Sequence, residues 1–197
     1  QGSAAYNSPF SLDIAGVIDP NMFSNTVLEL VKRHESLRTV FVQKDNEVYQ
    51  RILPIDEFKL QLDICNVNSK EEVDKIIDSD IQVEFDLTTG PLLRCKLIYI
   101  DDRTILYFNI HHIIHDGWSS KVFLNDFITI FTMLYNKQPV TLEPLSIQYK
   151  DYSVWQRNML DNGYMKEAEQ YWLNVFEDKV KPIDLCIAKR RPNQRNF

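Results

Sequence analysis

Glycine and cysteine are scarce, at five and three in 197 residues, and neither type is arranged as a cofactor or metal motif. No G-x-G-x-x-G or G-x-x-x-x-G-K-[ST] loop is present, so nucleotide chemistry is not expected of this chain. Cys65, Cys95 and Cys186 are far apart, odd in number and without a CxxC pair. That spacing argues against a disulfide framework or a zinc ribbon and fits a reducing cytoplasm. Long apolar runs are also missing, since none approaches the roughly 18 to 20 residues needed to cross a bilayer. The opening residues 1–10 lack the basic and apolar regions of a signal peptide. Neither export nor a membrane span is therefore expected. Positive charge is thin as well. The net charge is −6, and the basic residues are scattered except for Lys189, Arg190 and Arg191, which leaves no electrostatic footprint for nucleic acid. No internal repeat is visible.

What is present is enough apolar material for one good core, 44% hydrophobic against 25% charged, alone or within something larger. Phe10, Leu12 and Ile14 alternate with small or polar neighbours, predicting a strand over 9–18. Asp19-Pro20 then reads as a helix start. A helix to about Ser36 follows, with Phe23, Val27, Leu30 and Val31 on one face. Residues 38–43 and 47–53 flank the turn-forming Lys44-Asp45-Asn46 and predict a hairpin. Leu60, Leu62 and Ile64 mark another strand. Ser69-Lys70-Glu71-Glu72 is a capping box opening a helix that is expected to fade near Phe85. The runs 92–100 and 104–110, separated by Asp101-Asp102-Arg103, predict a second hairpin. A helical period carries Val122, Phe123, Phe127, Ile130, Phe131 and Leu134 from Ser119 onward. Two further helices are expected near 147–161 and 163–178, and residues 181–197 read as a linker. The fold class is therefore α/β of the α+β type, with a mixed, largely antiparallel sheet covered by helices.

Chemistry concentrates in residues 109–120, where three of the four histidines lie. His111, His112, His115 and Asp116 follow a buried-looking strand, and Gly117 precedes a helix. Strand ends and strand-to-helix turns are where rigid scaffolds present catalytic groups. A metal site is disfavoured because adjacent histidines on a strand point to opposite faces and neither HExxH nor HxH spacing occurs. A structural alternative makes Asp116 a helix N-cap and one histidine a hydrogen-bonded core residue. The residues alone leave function and structure both open.

His111-His112-Ile113-Ile114-His115-Asp116-Gly117 matches the HHxxxDG signature of the condensation domains of nonribosomal peptide synthetases, and Trp118-Ser119 resembles the usual continuation. Chloramphenicol acetyltransferase and related acyltransferases carry a similar HxxxD core. Further landmarks resemble the condensation family in order and separation. They are Arg33-His34-Glu35-Ser36-Leu37-Arg38-Thr39-Val40-Phe41, Phe85-Asp86-Leu87 with Gly90-Pro91-Leu92-Leu93-Arg94, Tyr149-Lys150-Asp151-Tyr152-Ser153-Val154-Trp155, and Arg190-Arg191-Pro192. His115 departs from the family, which commonly has a small polar residue there, so its protonation near neutral pH is expected to perturb the site.

The resemblance implies a chloramphenicol acetyltransferase-like lobe over residues 1–180, the start of an inter-lobe linker over 181–197, and a C-terminal lobe outside this chain. It also implies peptide-bond formation between thioesters carried on the 4'-phosphopantetheine of donor and acceptor peptidyl carrier proteins, beside an adenylation domain. No cofactor or metal bound by the chain itself is expected, and a fragment of this kind is expected to be inactive alone. The resemblance places His112 next to the attacking amine, as general base or by positioning, with His111 supporting the loop from the opposite side. Asp116 is expected to hold the loop through an ion pair with Arg33 or Arg38, Gly117 to let substrate approach, and Trp118 to support the site. Tyr149, Tyr152 and Trp155, at spacings of three, are expected to serve helix packing. An epimerisation domain, a small-molecule acyltransferase of the same fold, and a carrier-docking module without catalysis are the alternatives.

Overall fold

The computed structural model describes residues 3–178. Two compact units divide the chain, residues 1–149 and 150–197. The expected linker over 181–197 and the basic cluster at 189–191 lie outside the described residues.

The first unit is built on a four-stranded sheet. Strand β1 (Asn7–Ala15) alternates as its sequence requires, with Phe10, Leu12 and Ile14 turned to the core. Helix α1 (Pro20–Arg33) is capped by Asp19, whose side chain accepts from the Met22 N–H at 2.8 Å. It buries Phe23, Val27, Leu30 and Val31 completely. It stops short of the expected Ser36 because His34 turns extended and residues Glu35–Arg38 wind into a short 3-10 turn that buries Leu37. Strands β2 (Thr39–Lys44) and β3 (Glu47–Ile52) form a separate hairpin. Its tip holds Asp45 and Asn46 at positive φ, a conformation these two residue types tolerate.

Strand β4 (Gln61–Val67) leads into helix α2 (Lys70–Ile81), whose Ser69 cap accepts from the Glu72 N–H while the Glu72 carboxylate accepts from the Asn68 N–H at 2.9 Å. Strands β5 (Leu93–Ile100) and β6 (Arg103–His111) complete the sheet, in the order β1-β6-β5-β4. All neighbours are antiparallel except β4 and β5, which α2 joins as a parallel pair. Helix α2 ends four residues before the expected Phe85, and the chain from 82 to 92 crosses back to β5 without regular structure.

Strand β6 is covered on both faces, which is why it reads as a continuous apolar run rather than an alternating one. Leu106, Phe108 and Ile110 belong to a core that includes α1 and helix α3 (Gly117–Tyr135). Tyr107 packs with Val73 and Ile98 on the α2 side. Phe108 stands edge-on to Phe123 and Phe127 and tilted against Phe23. Burying each such side chain contributes about 1.5–3 kcal/mol.

The second unit contains most of helix α4 (Tyr149–Asp161) and all of α5 (Lys166–Val175), neither of which carries a buried residue. Tyr149, Tyr152 and Trp155, expected to pack, are 57%, 42% and 51% exposed. Spacing by three gathers side chains on one face, and here Tyr152 and Trp155 lie against each other with ring centroids 5.5 Å apart.

Candidate functional site

The backbone between β6 and α3 is anchored on both sides. The His111 N–H donates to the Leu92 carbonyl at 3.0 Å, the His112 N–H to the Tyr6 carbonyl at 2.8 Å, and the Ile114 N–H to the His111 carbonyl at 3.1 Å. A rigid strand therefore delivers a tight turn whose first exposed side chain is His112.

His111 is buried, with its ring edge-on to Phe85 at 5.9 Å and tilted against Tyr6 at 6.1 Å. Its Nδ1 accepts from the Ile113 N–H at 3.1 Å, which leaves the proton on Nε2 in the neutral ring. Burial, with a smaller contribution from the neighbouring His112, holds its pKa below the ordinary histidine value. His111 thus ties the turn together from inside.

His112 borders two cavities. One, of about 360 Å³, is also lined by His34, Thr39, Gln50, His115 and Gln148. The other, of about 400 Å³, is also lined by Tyr6, Phe85, Leu87, His111 and Ile113. An exposed imidazole between two cavities is placed to meet groups arriving from either.

His115 is buried, stacks on Phe10 at 6.3 Å, and shares a 3.2 Å hydrogen bond between Nε2 and Ser120 Oγ. Burial is the main influence on it and lowers its pKa, His112 adds to that, and Asp116 opposes it. The direction of that shift runs against the expected perturbation of the site by a protonated His115, because burial disfavours the charged ring.

The expected ion pair of Asp116 with Arg33 or Arg38 is also corrected. Asp116 is exposed and caps α3, its Oδ1 accepting from Ser119 N–H and Ser119 Oγ, both at 2.7 Å. Those Ser119 bonds draw its pKa below the usual carboxylate range. An exposed carboxylate satisfied by a helix N-terminus requires no cation. The guanidinium of Arg33 goes instead to Asp126 of α3 at 2.8 Å and to the Glu143 carbonyl. Arg38 pairs with Glu35 at 3.5 Å and donates to the Leu53 carbonyl. Gly117 is the first residue of α3, and a side chain there would meet nothing within 4 Å. Trp118, expected to support the site, is 81% exposed; it borders a smaller cavity of about 140 Å³ with His34, His115 and Phe123.

His34, part of the Arg33–Phe41 motif, and Gln148, to which no sequence motif points, complete the cavity wall. His34 Nε2 lies 2.7 Å from Asp126 Oδ2. Gln148 bridges the end of α1, donating to the Arg33 carbonyl at 2.9 Å and accepting from the Glu35 N–H at 3.2 Å. The available signal was Asp126 itself, the one acid of α3, set among Phe123, Leu124, Phe127 and Ile128. Among the described residues no group of three or more His, Cys, Asp or Glu side chains is arranged to hold a metal, and no helix is long and apolar enough to cross a membrane.

Comparison with known proteins converges on one family. The chain is 35% identical over 190 residues to bacitracin synthase 1 of Bacillus licheniformis, covering 95% of this chain and 3% of that protein. It is 36% identical over 194 residues to gramicidin S synthase 2 of Brevibacillus brevis, covering 98% of this chain and 4% of that protein. It thus spans a small fraction of the curated relatives it matches. The epimerization domain from the third module of tyrocidine synthetase B superposes with a TM-score of 0.82 at 22% identity, over 92% of this chain and 42% of that one. The starter condensation domain of rhizomide synthetase superposes with a TM-score of 0.81 at 20% identity, over 92% and 44%. These two likenesses show the fold. The condensation domain family model matches residues 1–197, and with the motif-bearing turn at the end of β6, this chain belongs to the condensation domain family.

Proposed function

We propose that the chain supplies the His112 side of a site that forms peptide bonds between two thioester-bound substrates in nonribosomal peptide synthesis. The observation that carries this reading is the position of His112, exposed between two cavities at the end of a rigid strand. The acceptor's α-amine attacks the donor's thioester carbonyl. A C–N bond forms, the C–S bond breaks, and the thiolate of the donor arm leaves, taking up the proton that the amine gives up. A histidine side chain can take up and give back a proton, so His112 can carry that proton between them. The α-amine, with a pKa near 8, is already partly neutral and the thioester is already activated, so positioning supplies much of the rate. His111 contributes a neutral ring that fixes the turn, and Asp116 anchors the turn to α3 as its cap.

Both substrates arrive on 4'-phosphopantetheine arms of carrier proteins, and a neighbouring adenylation domain loads them in a cytoplasmic assembly. A second lobe completes the site, so this chain alone forms no peptide bond. The test is His112→Ala in the full-length parent protein supplied with both loaded carriers. Dipeptide formation should fall by about 10² to 10⁴ with the fold and carrier binding retained. An undiminished rate removes His112 from the reaction. The same experiment separates other members of the fold: inverted stereochemistry of a carrier-bound residue without a new amide marks an epimerising domain, and carrier binding without turnover marks a docking module.

A further inference from the structure

The most heavily charged buried cluster in the described residues lies on the α2 side of the sheet, away from the cavities. Asp80 is the penultimate residue of α2 and is 6% exposed. A carboxylate at a helix C-terminus opposes the macrodipole, so the helix itself does not call for it. The sheet does. Cross-strand register sets Arg94 opposite Asn109 and Lys96 opposite Tyr107, and all four side chains converge on Asp80. Tyr107 OH donates to it at 3.0 Å and Asn109 Nδ2 at 2.8 Å. Lys96 approaches to 3.1 Å and Arg94 to 3.4 Å.

Arg94 carries the connection onward. Its guanidinium donates to the Asp80 carbonyl at 3.0 Å and the Val83 carbonyl at 2.9 Å, and it lies over the Phe85 ring at 3.9 Å. Asn7, which faces His111 in the β1–β6 register, clamps the same stretch by donating to the carbonyls of Ile81 at 2.7 Å and Val83 at 2.9 Å. The irregular segment after α2 is thus held from two strands, and Phe85 is pressed edge-on against His111. His111 in turn receives the Ile113 N–H and shapes the turn that presents His112.

We propose that Asp80, Arg94 and Phe85 are positioning residues, acting through His111 to set the turn at 111–117 and hence the placement of His112. A buried ion cluster contributes little net stability over an apolar replacement of the same shape. What it supplies is direction: charged hydrogen bonds fix Arg94, Arg94 fixes Phe85, and Phe85 fixes one face of the His111 ring. For its kinetic readout the proposal rests on the peptide-bond-forming role of His112.

The experiment compares Asp80→Asn, Arg94→Lys and Phe85→Leu with Val73→Ala in the full-length parent protein. Val73 is buried in the same α2–sheet packing, against Tyr107 and Ile98, and makes none of the polar contacts to Asp80 or Arg94 described above. Because small misplacements near the chemistry are costly, kcat should fall about 10- to 100-fold in the three relay variants. KM for the loaded carriers in Asp80→Asn and Arg94→Lys should stay within about threefold, as neither residue lines a cavity at His112. Val73→Ala should lower the melting temperature and leave kcat unchanged. In a His111→Ala background, Phe85→Leu should cost less than about a further twofold, since the two act in series. Hydrogen exchange at the amides of residues 113–117 should quicken in the relay variants and not in Val73→Ala.

Wild-type kcat in folded Phe85→Leu and Arg94→Lys, an equal loss in Val73→Ala, or full additivity in the double variant would overturn the proposal. If the wild-type protein forms no peptide bond, the functional reading fails separately. The exchange measurement then decides the relay by itself, and unchanged protection at 113–117 overturns it.

Discussion

The two faces of β6 bury comparable side chains by different chemistry. Toward α1 and α3, Leu106, Phe108 and Ile110 meet Phe23, Phe123 and Phe127 in a wholly apolar cluster. Toward α2, Tyr107 and Asn109 surround the carboxylate of Asp80 together with Arg94 and Lys96. The apolar face loses stability in proportion to the area and volume removed. The polar face is conditional: burial pushes the Asp80 pKa up, but the Asn109 hydrogen bond, Arg94 and Lys96 outweigh it and leave it below the ordinary value. Removing one member strands the others. The apolar face holds the fold, and the polar face aims a segment of it.

The sharpest test of that difference replaces one residue on each side. Phe108→Ala should destabilise by about 3–5 kcal/mol through the cavity it leaves, read by denaturant unfolding. Asp80→Ala should cost about 3 kcal/mol by leaving Arg94 and Lys96 uncompensated. Replacing Asp80, Arg94 and Lys96 together by apolar residues of similar shape should restore most of that loss, whereas no second substitution on the Phe108 side short of refilling the cavity should do so. Equal rescue on both faces would erase the distinction.

A pH titration of stability gives a smaller effect. His111 and His115 have folded pKa values lowered by burial, so between those values and the unfolded value near 6.5 the unfolded chain binds more protons. Stability should therefore fall as pH drops below about 6.5. His115→Asn should flatten that slope in thermal denaturation between pH 7.5 and 5. Asp80 acts at lower pH. With its folded pKa depressed, its contribution is present above about 3.9 and lost as pH falls through the folded value. A stability curve flat from pH 7.5 to 5 would remove the histidine contribution.

The smallest expected effect belongs to Asp116, which serves neither face. As an N-cap alone, Asp116→Ala should cost about 1 kcal/mol and Asp116→Ser less, measured by the unfolding midpoint. A loss of several kcal/mol would restore the buried ion pair that the geometry replaces with Ser119.

The elements legible in the sequence are those whose signal is local. Asp19-Pro20, Ser69 with Glu72, and the alternation of Phe10, Leu12 and Ile14 each name an element from a few adjacent residues, because caps and periodicity act over one turn or one pleat. Element ends were less legible. Helix α1 was expected to reach Ser36 and α2 to reach Phe85, since nothing local distinguishes an α-helix from the 3-10 turn at Glu35–Arg38 or marks where the 82–92 segment leaves for β5. The aromatics of α4 show the same limit, as spacing by three groups Tyr152 with Trp155 but does not say how far a face is buried.

By itself the sequence determined the order of elements, the fold class and the cluster of chemistry at residues 111–117, because propensity, capping and motif spacing are all carried along the chain. Only the tertiary structure decided the partners of the charges. Arg33 found Asp126 rather than Asp116, Asp116 found Ser119, and Asp80 gathered Arg94, Lys96, Tyr107 and Asn109 from two strands. An ion pair depends on distance and burial, and both are set by strand register and helix docking between residues far apart in sequence.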